Sequence, residues 1–439
     1  MIKKIALFFG LICCIIPMQA QGNSVVKMDS LLRYYNVNNK MMGQVSLRLG
    51  AKKVYQKTFG DPLLPAKDQP TDESRYRIGS ASKTFTAVLI MQLVEEKKLK
   101  LSDALSKFYP HIKNAKHISI EDLLRHRSGI PDLVNADATT DFYKKYTKAQ
   151  LLKKMEGYAS DFEPNTKAAY SNTNFILLSY IIEEVTNLSY NTNLQNRICK
   201  KVNLKYTNYP TLKNQFSKLD QRSYVYNNKQ WEAVPESDNN LPIGAGGIVS
   251  TANDLTLFMN GLFENKLVSA ASLEQMITIK DGYGLGIVPF KFGERLFYGH
   301  NGRIDKFETL MAYYPKEKFG ISQITNGLET DGTALNLGIM SIYYKLPYEF
   351  PSFKSYDITT AEMLPYVGTY NTASFPMDIE IVLRDNQLHA QATGQGSFPL
   401  QAEDAQTFTF APASIKMVFD PEGMTLHQSG SKIRFTKKR

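Results

Sequence analysis

Apolar and polar positions along the chain fall into two regimes: long helical and strand patterns first, then short alternating strands. Residues 25–35 read as an amphipathic helix. The runs 43–49 and 53–58, separated by Gly50-Ala51, predict a β-hairpin. In residues 84–99, Phe85, Val88, Leu89, Ile90, Met91, Leu93 and Val94 cover nearly the whole circumference of a predicted helix. A helix apolar all round belongs in the centre of a large fold, and Lys97 and Lys98 suit its C-terminal end. The chain from 100 to about 240 is predicted to be mainly helical, most clearly at 174–185, where Leu177, Leu178, Ile181, Ile182 and Val185 share one stripe. Strand patterns return at 247–250, 284–290, 295–299, 308–314 and 320–326. Strands on both sides of a helical region predict an α+β fold. One antiparallel sheet is built from non-contiguous segments, flanked by helices, with an inserted helical subdomain.

A proline- and serine-containing stretch at 347–363 reads as a linker. Beyond it Ile379, Ile381 and Leu383 alternate with Asp378, Glu380 and Val382, and Asp385-Asn386 makes a turn. Phe408/Phe410, Met417/Phe419, a turn at Pro421-Glu422-Gly423, Met424/Leu426 and Ile433/Phe435 continue the alternation. This pattern predicts a small antiparallel meander or barrel.

The N-terminus modifies this picture. Lys3 and Lys4, an apolar run at 5–16, and Met18-Gln19-Ala20 read as a signal peptide cleaved after Ala20. Cys13 and Cys14 raise lipidation, but Ile12 is bulky where a small residue is wanted. The expected organisation is a signal peptide at 1–20, a main domain at 21–346, a linker at 347–363 and a β domain at 364–439. An exported protein, periplasmic or secreted, follows, with no transmembrane span after cleavage. Of the 3 cysteines only Cys199 then remains, so neither a disulfide nor a CxxC metal or redox site is expected. The formal net charge of +10 comes from lysines and arginines spread among acids, without the basic stripe of nucleic-acid binders. No nucleic-acid partner is expected.

The chemistry begins at Ser80-Ala81-Ser82-Lys83. Ser-x-x-Lys alone is weak, since it recurs at Ser24–Lys27 and Ser429–Lys432. Ser80 differs by following Gly79 and opening the apolar helix, which sets Ser80 and Lys83 on one face beside the free N–H groups of a helix start. An N-cap serine is the alternative reading.

Residues 77–87, RIGSASKTFTA, resemble the nucleophile motif of serine β-lactamases, DD-peptidases and related esterases. Four further segments are similar to that family in the family's order: ISIEDLLRHRSGIP at 118–131, PNTKAAYSNTNFILL at 164–178, AGGIVSTANDL at 245–255 and YGHNGRIDKF at 298–307. Each is modest alone, and five in order are specific; together they cover roughly residues 30–345. Tyr170-Ser171-Asn172 in place of Ser-x-Asn points to the class C β-lactamase and DD-peptidase branch. The resemblance implies a β-lactamase/transpeptidase-like fold with the cleft between sheet domain and helical subdomain. It also implies a small lipocalin-like barrel after the linker, as in relatives with an appended domain. Ser80 is the implied nucleophile, with Lys83 and Tyr170 as its proton-handling partners. Asn172, His300 and Gly302 are implied to bind substrate, and the N–H groups of Ser80 and Arg303 to form the oxyanion hole. No cofactor and no metal are expected; the six histidines show neither HxxxH nor HExxH spacing.

Serine needs a base, and lysine can serve near neutrality only where its charged form is destabilised. Tyr170 is a second group with which it would share protons. His300 departs from the lysine that β-lactamases of the family usually carry, which favours peptidase or esterase chemistry over strong β-lactamase activity. Lys306, Arg125 and Arg127 are expected as solvated surface side chains, with contact to an acidic substrate as the alternative, and His126 is expected to pack. The expected function is hydrolysis of D-amino-acid peptides or small esters. The alternatives are a true class C-like β-lactamase and a catalytically silent binder of cell-wall fragments or lipids.

Overall fold

In the computed structural model, residues 18–136, 140–210, 217–354, 356–410, 415–428 and 431–438 are described. Lys3, Lys4, the 5–16 run, Cys13, Cys14 and Ser429 lie outside the described residues. Among the described residues no helix is long and apolar enough to cross a membrane.

Two compact units form: Tyr35–Gly332, and Thr333–Arg439 together with the chain up to Tyr34. The first is built on six antiparallel strands in the order Lys52–Phe59, Met41–Leu49, Phe319–Leu328, Phe307–Tyr314, Arg295–Ile304, Val288–Phe292. Strands from both ends of the unit therefore share one sheet, as the pattern predicts. The neighbouring strands Met41–Leu49 and Phe319–Leu328 are buried almost throughout, and among their buried polar side chains Gln44 Nε2 donates to Thr71 O and Arg48 to Ala51 O. Helix Ala252–Phe263 lies on this sheet, with Ser46 Oγ and Thr256 Oγ1 3.2 Å apart and Phe258 stacked on Phe85.

The helix Ser82–Glu95 is buried from Ser82 to Leu93, the fate that an apolar circumference demands. It is shorter than the predicted 84–99. Lys97 adopts the left-handed conformation (φ 59°) and ends it without a glycine to announce the stop. Ser80 lies in a separate 3₁₀ turn, Gly79–Ala81, one step before the helix. The predicted strand 284–290 is displaced to Val288–Phe292, because Gly286 (φ 63°) and a Gly284 N–H to Ile287 O bond make residues 284–287 a turn. The predicted strand 247–250 shrinks to Val249–Ser250, paired with Tyr76–Arg77. The helical region also contains a hairpin, Tyr224–Asn227 with Gln230–Ala233.

The second unit carries nine strands whose order starts at Phe398–Pro399 and finishes at Gln401–Ala402. Only Leu400 separates these two outermost strands in the chain, so the sheet curls round and its ends meet. The barrel interior is filled by residues such as Tyr370, Ile381, Leu388, Phe408, Met417, Phe419, Met424 and Phe435, a packed core in the place where a lipid carrier has a cavity. Asp385 and Asn386 both take positive φ (48° and 58°), the geometry that a two-residue hairpin turn requires. The described residues of the predicted linker, 347–354 and 356–359, are irregular, and it ends in the short helix Thr360–Met363.

Candidate active site

Backbone fixes the candidate nucleophile. Gly79 (φ +52°) turns the chain between Tyr76–Arg77 and the buried helix, and a Cβ there would meet Arg303 N and O at 2.8 Å. Only glycine permits both the conformation and the approach. A Cβ on Gly302 would in turn collide with Ile78 O and reach Ser80 N at 3.0 Å. The backbone around Arg303 is thereby packed directly against the Ser80 turn, which makes the two N–H groups candidates for an oxyanion hole. The strand Arg295–Ile304 is the penultimate one rather than an edge strand. Its neighbour Val288–Phe292 stops pairing at Gly299, so His300 to Ile304 run past the edge and face the Ser80 turn.

Three side chains meet at Ser80 or one step away. Lys83 Nζ donates to Ser80 Oγ (3.0 Å), Asn172 Oδ1 (2.7 Å) and Ala245 O (2.7 Å). Tyr170 Oη donates to Ser80 Oγ at 2.6 Å. Lys83 is fully buried, and its ring neighbours are Tyr170 and Phe175 (4.8 and 5.6 Å). Loss of hydration brings the Lys83 ammonium down to about 7, partly opposed by the Asp132 carboxylate. Burial acts oppositely on Tyr170, raising its phenol well above the ordinary range against the hydrogen bond to Ser80, which lowers it. Near neutrality the amine can thus take a proton while the phenol keeps its own.

Tyr170 and Asn172 are held by the segment His126 to Asp132. Ala169 N–H donates to His126 O, Ser171 N–H to His126 Nδ1 (3.1 Å), and the Ser171 and Thr173 hydroxyls to Pro131 O. The His126 ring stacks on Tyr170 with centroids 4.5 Å apart. Because Nδ1 accepts a backbone N–H, His126 carries its proton on Nε2; burial, then Lys83, holds it neutral. His300 is also buried, and desolvation with Lys83 nearby pushes it down to about 3. It is a neutral imidazole whose Nδ1–H donates to Asn301 O.

The structure therefore brings Ser80, Lys83, Tyr170 and Asn172 into one hydrogen-bonded cluster and sets Gly302 and Arg303 against its backbone. The Arg303 side chain points away, exposed and paired with Glu308. Sequence reasoning missed Asp132, which bonds Asn172, and the Ala245 carbonyl; the first stands one residue after the segment ending at Pro131. Arg125 and Arg127 are not surface groups. Both are buried, Arg125 donating to the carbonyls of Thr278 and Tyr283, and Arg127 bonded to Asn165 and Asp281. Lys306 is exposed as expected. A cavity of about 960 Å³ opens beside Arg77, walled by Arg75, Asp220, Glu236 and Asn239. Ser80, Lys83 and Tyr170 are not on its wall, so its volume does not measure the substrate site.

A Ser-x-x-Lys turn with a buried lysine, facing a Tyr-x-Asn segment, defines a class of serine hydrolases. The chain belongs to the Beta-lactamase family, whose model matches residues 43–342. It is 24% identical over 426 residues to penicillin-binding protein 4* of Bacillus subtilis (strain 168), covering 89% of this chain and 93% of that one. It is 28% identical over 235 residues to the teichoic acid D-alanine hydrolase of Staphylococcus aureus (strain MRSA252), covering 54% and 57%. Among solved structures, the octameric penicillin-binding protein homologue from Pyrococcus abyssi superposes with a TM-score of 0.67 at 22% identity, over 94% of this chain and all of that one. The fold is the β-lactamase/transpeptidase-like one with a C-terminal β domain, and the protein is a serine hydrolase.

Proposed function

We propose that the protein is an exported hydrolase of D-amino-acid peptides or small D-aminoacyl esters, working through an acyl-enzyme on Ser80. The observation carrying this reading is the convergence of Lys83 Nζ and Tyr170 Oη on Ser80 Oγ at 3.0 and 2.6 Å, with the lysine dehydrated. Neutral Lys83 has two N–H bonds and one lone pair. Asn172 Oδ1 and Ala245 O take the N–H bonds, leaving the lone pair for the Ser80 proton. Ser80 Oγ attacks the substrate carbonyl, whose oxygen gathers charge between the Ser80 and Arg303 N–H groups. Tyr170 gives its proton to the departing amine or alkoxide and is reprotonated through Lys83. Water then attacks the ester carbonyl; its proton returns to the pair, and Ser80 leaves as the hydroxyl. A D-configured acyl donor is supported by similarity to a relative named as a D-alanine hydrolase. The neutral His300, in place of a fixed lysine charge, favours substrates without a carboxylate at that position. Export is supported by the basic-then-apolar leader at 1–20.

The test is labelling by a fluorophosphonate, with the adduct mapped by mass spectrometry, followed by turnover of D- and L-alanyl esters, a D-Ala-D-Ala peptide and nitrocefin. Expected are a Ser80 adduct absent from Ser80→Ala, preference for D over L, and slow nitrocefin turnover. An adduct elsewhere overturns the site, and fast nitrocefin turnover with inert esters and peptides favours a true β-lactamase.

A further inference from the structure

We propose that Asp132 is a positioning residue for the Ser80 reaction: it locks the side-chain amide of Asn172 with its carbonyl towards Lys83. The inference rests on Ser80 as nucleophile. Asn172 Nδ2 lies 3.1 Å from both Asp132 Oδ1 and Oδ2, while Asn172 Oδ1 accepts from Lys83 Nζ at 2.7 Å. A carboxylate accepts and does not donate. With the amide reversed, its oxygen would face two carboxylate oxygens and its NH₂ would face an amine already donating. Only one orientation satisfies both neighbours, and Asp132 enforces it whichever protonation state Lys83 is in.

The consequence reaches Ser80 in two ways. With Asn172 Oδ1 fixed as an acceptor, one Lys83 N–H is always engaged there and another at Ala245 O, so the third position keeps its aim on Ser80 Oγ. Asp132 also acts on Lys83 through its charge, favouring the ammonium. The other titratable groups facing Lys83 are Tyr170 from the Tyr-Ser-Asn segment, His126 from the preceding loop and His300 from the neighbouring strand. The first keeps its phenolic proton and the two imidazoles are neutral. Asp132 is therefore the group whose charge tunes this amine. Its further bond from Asn172 N–H (3.2 Å) caps the helix Asn172–Thr186. That capping role accounts for one of the bonds and predicts only a loss of stability.

The two roles separate in the pH dependence of kcat/KM for a p-nitrophenyl ester. Asp132→Asn keeps size but removes charge and obligate acceptance. The plateau is expected to fall about tenfold to a hundredfold through misalignment, with KM little changed. The acid limb is expected to move about one unit to lower pH, because the neutral amine no longer competes with an anion-stabilised ammonium. Asp132→Glu retains the charge but displaces the acceptor, so its plateau falls while its acid limb stays. Asp132→Asn with the wild-type plateau and limb overturns the inference and leaves Asp132 a helix cap. Should Asp132→Asn not fold, Asp132→Glu decides: an unchanged plateau overturns the inference. A wild-type chain not labelled at Ser80 by a fluorophosphonate overturns the proposed function itself. A labelled wild type with an insensitive Asp132→Asn overturns this inference alone.

Discussion

Tyr170 Oη approaches Ser80 Oγ to 2.6 Å, closer than Lys83 Nζ at 3.0 Å, yet burial drives the two partners in opposite directions. A phenol whose ionisation is suppressed serves as a donor, and a dehydrated amine as an acceptor. Tyr170→Phe removes the donor while the ring still stacks on His126. The expected result is a loss in kcat of roughly 10²–10⁴. The loss should be larger for amides than for p-nitrophenyl esters, whose leaving group needs no proton. Single-turnover assays with matched amide and ester substrates check this, and an equal loss on both would remove Tyr170 from leaving-group protonation.

The proposed catalysis through a neutral Lys83 sets the expected pH profile. Its folded-state value of about 7 places the acid limb of kcat/KM there, with activity lost below as the amine is protonated. Tyr170 keeps its proton far into the alkaline range, and His300, at about 3, stays neutral throughout. The profile should therefore rise through about 7 and remain flat to beyond pH 9. Lys83→Arg, which cannot shed its proton, should abolish turnover at every pH. A second limb near pH 6.5, the ordinary histidine value, would place an imidazole in the mechanism instead.

The same burial that keeps Lys83 neutral near pH 7 costs stability. The amine's value is 10.5 when solvated and about 7 in the folded chain. Between these pH values the unfolded chain holds the proton and the folded chain does not, so stability rises with pH. Below about 7 both states are protonated and the buried charge exerts its full penalty, on the order of 4–5 kcal/mol. Above the solvated value the penalty vanishes. Lys83→Met should remove this slope. It should also raise stability at pH 7 by about 2 kcal/mol, after Asn172 and Ala245 lose their donor. Urea unfolding of both proteins at pH 7 and pH 10 measures the effect, and equal slopes would show that the charge is not penalised.

How much of this was legible depends on the kind of information each feature needs. Ser80, Lys83 and Tyr170 stand out only through five modest segments in one order, since Ser-x-x-Lys alone recurs elsewhere in the chain, whereas the barrel strands show in their alternation, because a one-sided face leaves a period-two imprint. Alternation alone does not distinguish an open meander from a closed barrel: closure shows only once Phe398–Pro399 and Gln401–Ala402, one residue apart in the chain, are seen to be the sheet's two outermost strands. Arg125 and Arg127 were misread because charge usually marks solvent, whereas here Thr278 and Tyr283 carbonyls and Asp281 replace the water. The helix end at Glu95 was missed because a lysine, Lys97, takes the left-handed position that glycine normally signals. Asp132 after a proline reads as turn chemistry until its partner, forty residues on, is in place.

The backbone at Gly302 offers the most direct test of the oxyanion arrangement. A Cβ added there would collide with Ile78 O and come within 3.0 Å of Ser80 N, both main-chain atoms that cannot swing aside. Gly302→Ala must therefore push the stretch from His300 to Ile304 away from the Ser80 turn, widening the gap between the Ser80 and Arg303 N–H groups. This stretch pairs with Phe307–Tyr314 on its other side and lies past the end of Val288–Phe292, so it can shift without unzipping the sheet. The fold should survive at a cost of about 1–3 kcal/mol, while kcat falls on the order of 10²–10³ through weakened charge stabilisation. Lys83 and Tyr170 stand on other elements, so the acid limb near 7 should keep its position. Circular dichroism, thermal unfolding and the pH profile of the variant separate these effects. A variant with wild-type kcat would mean that the carbonyl oxygen binds somewhere other than between these two amides.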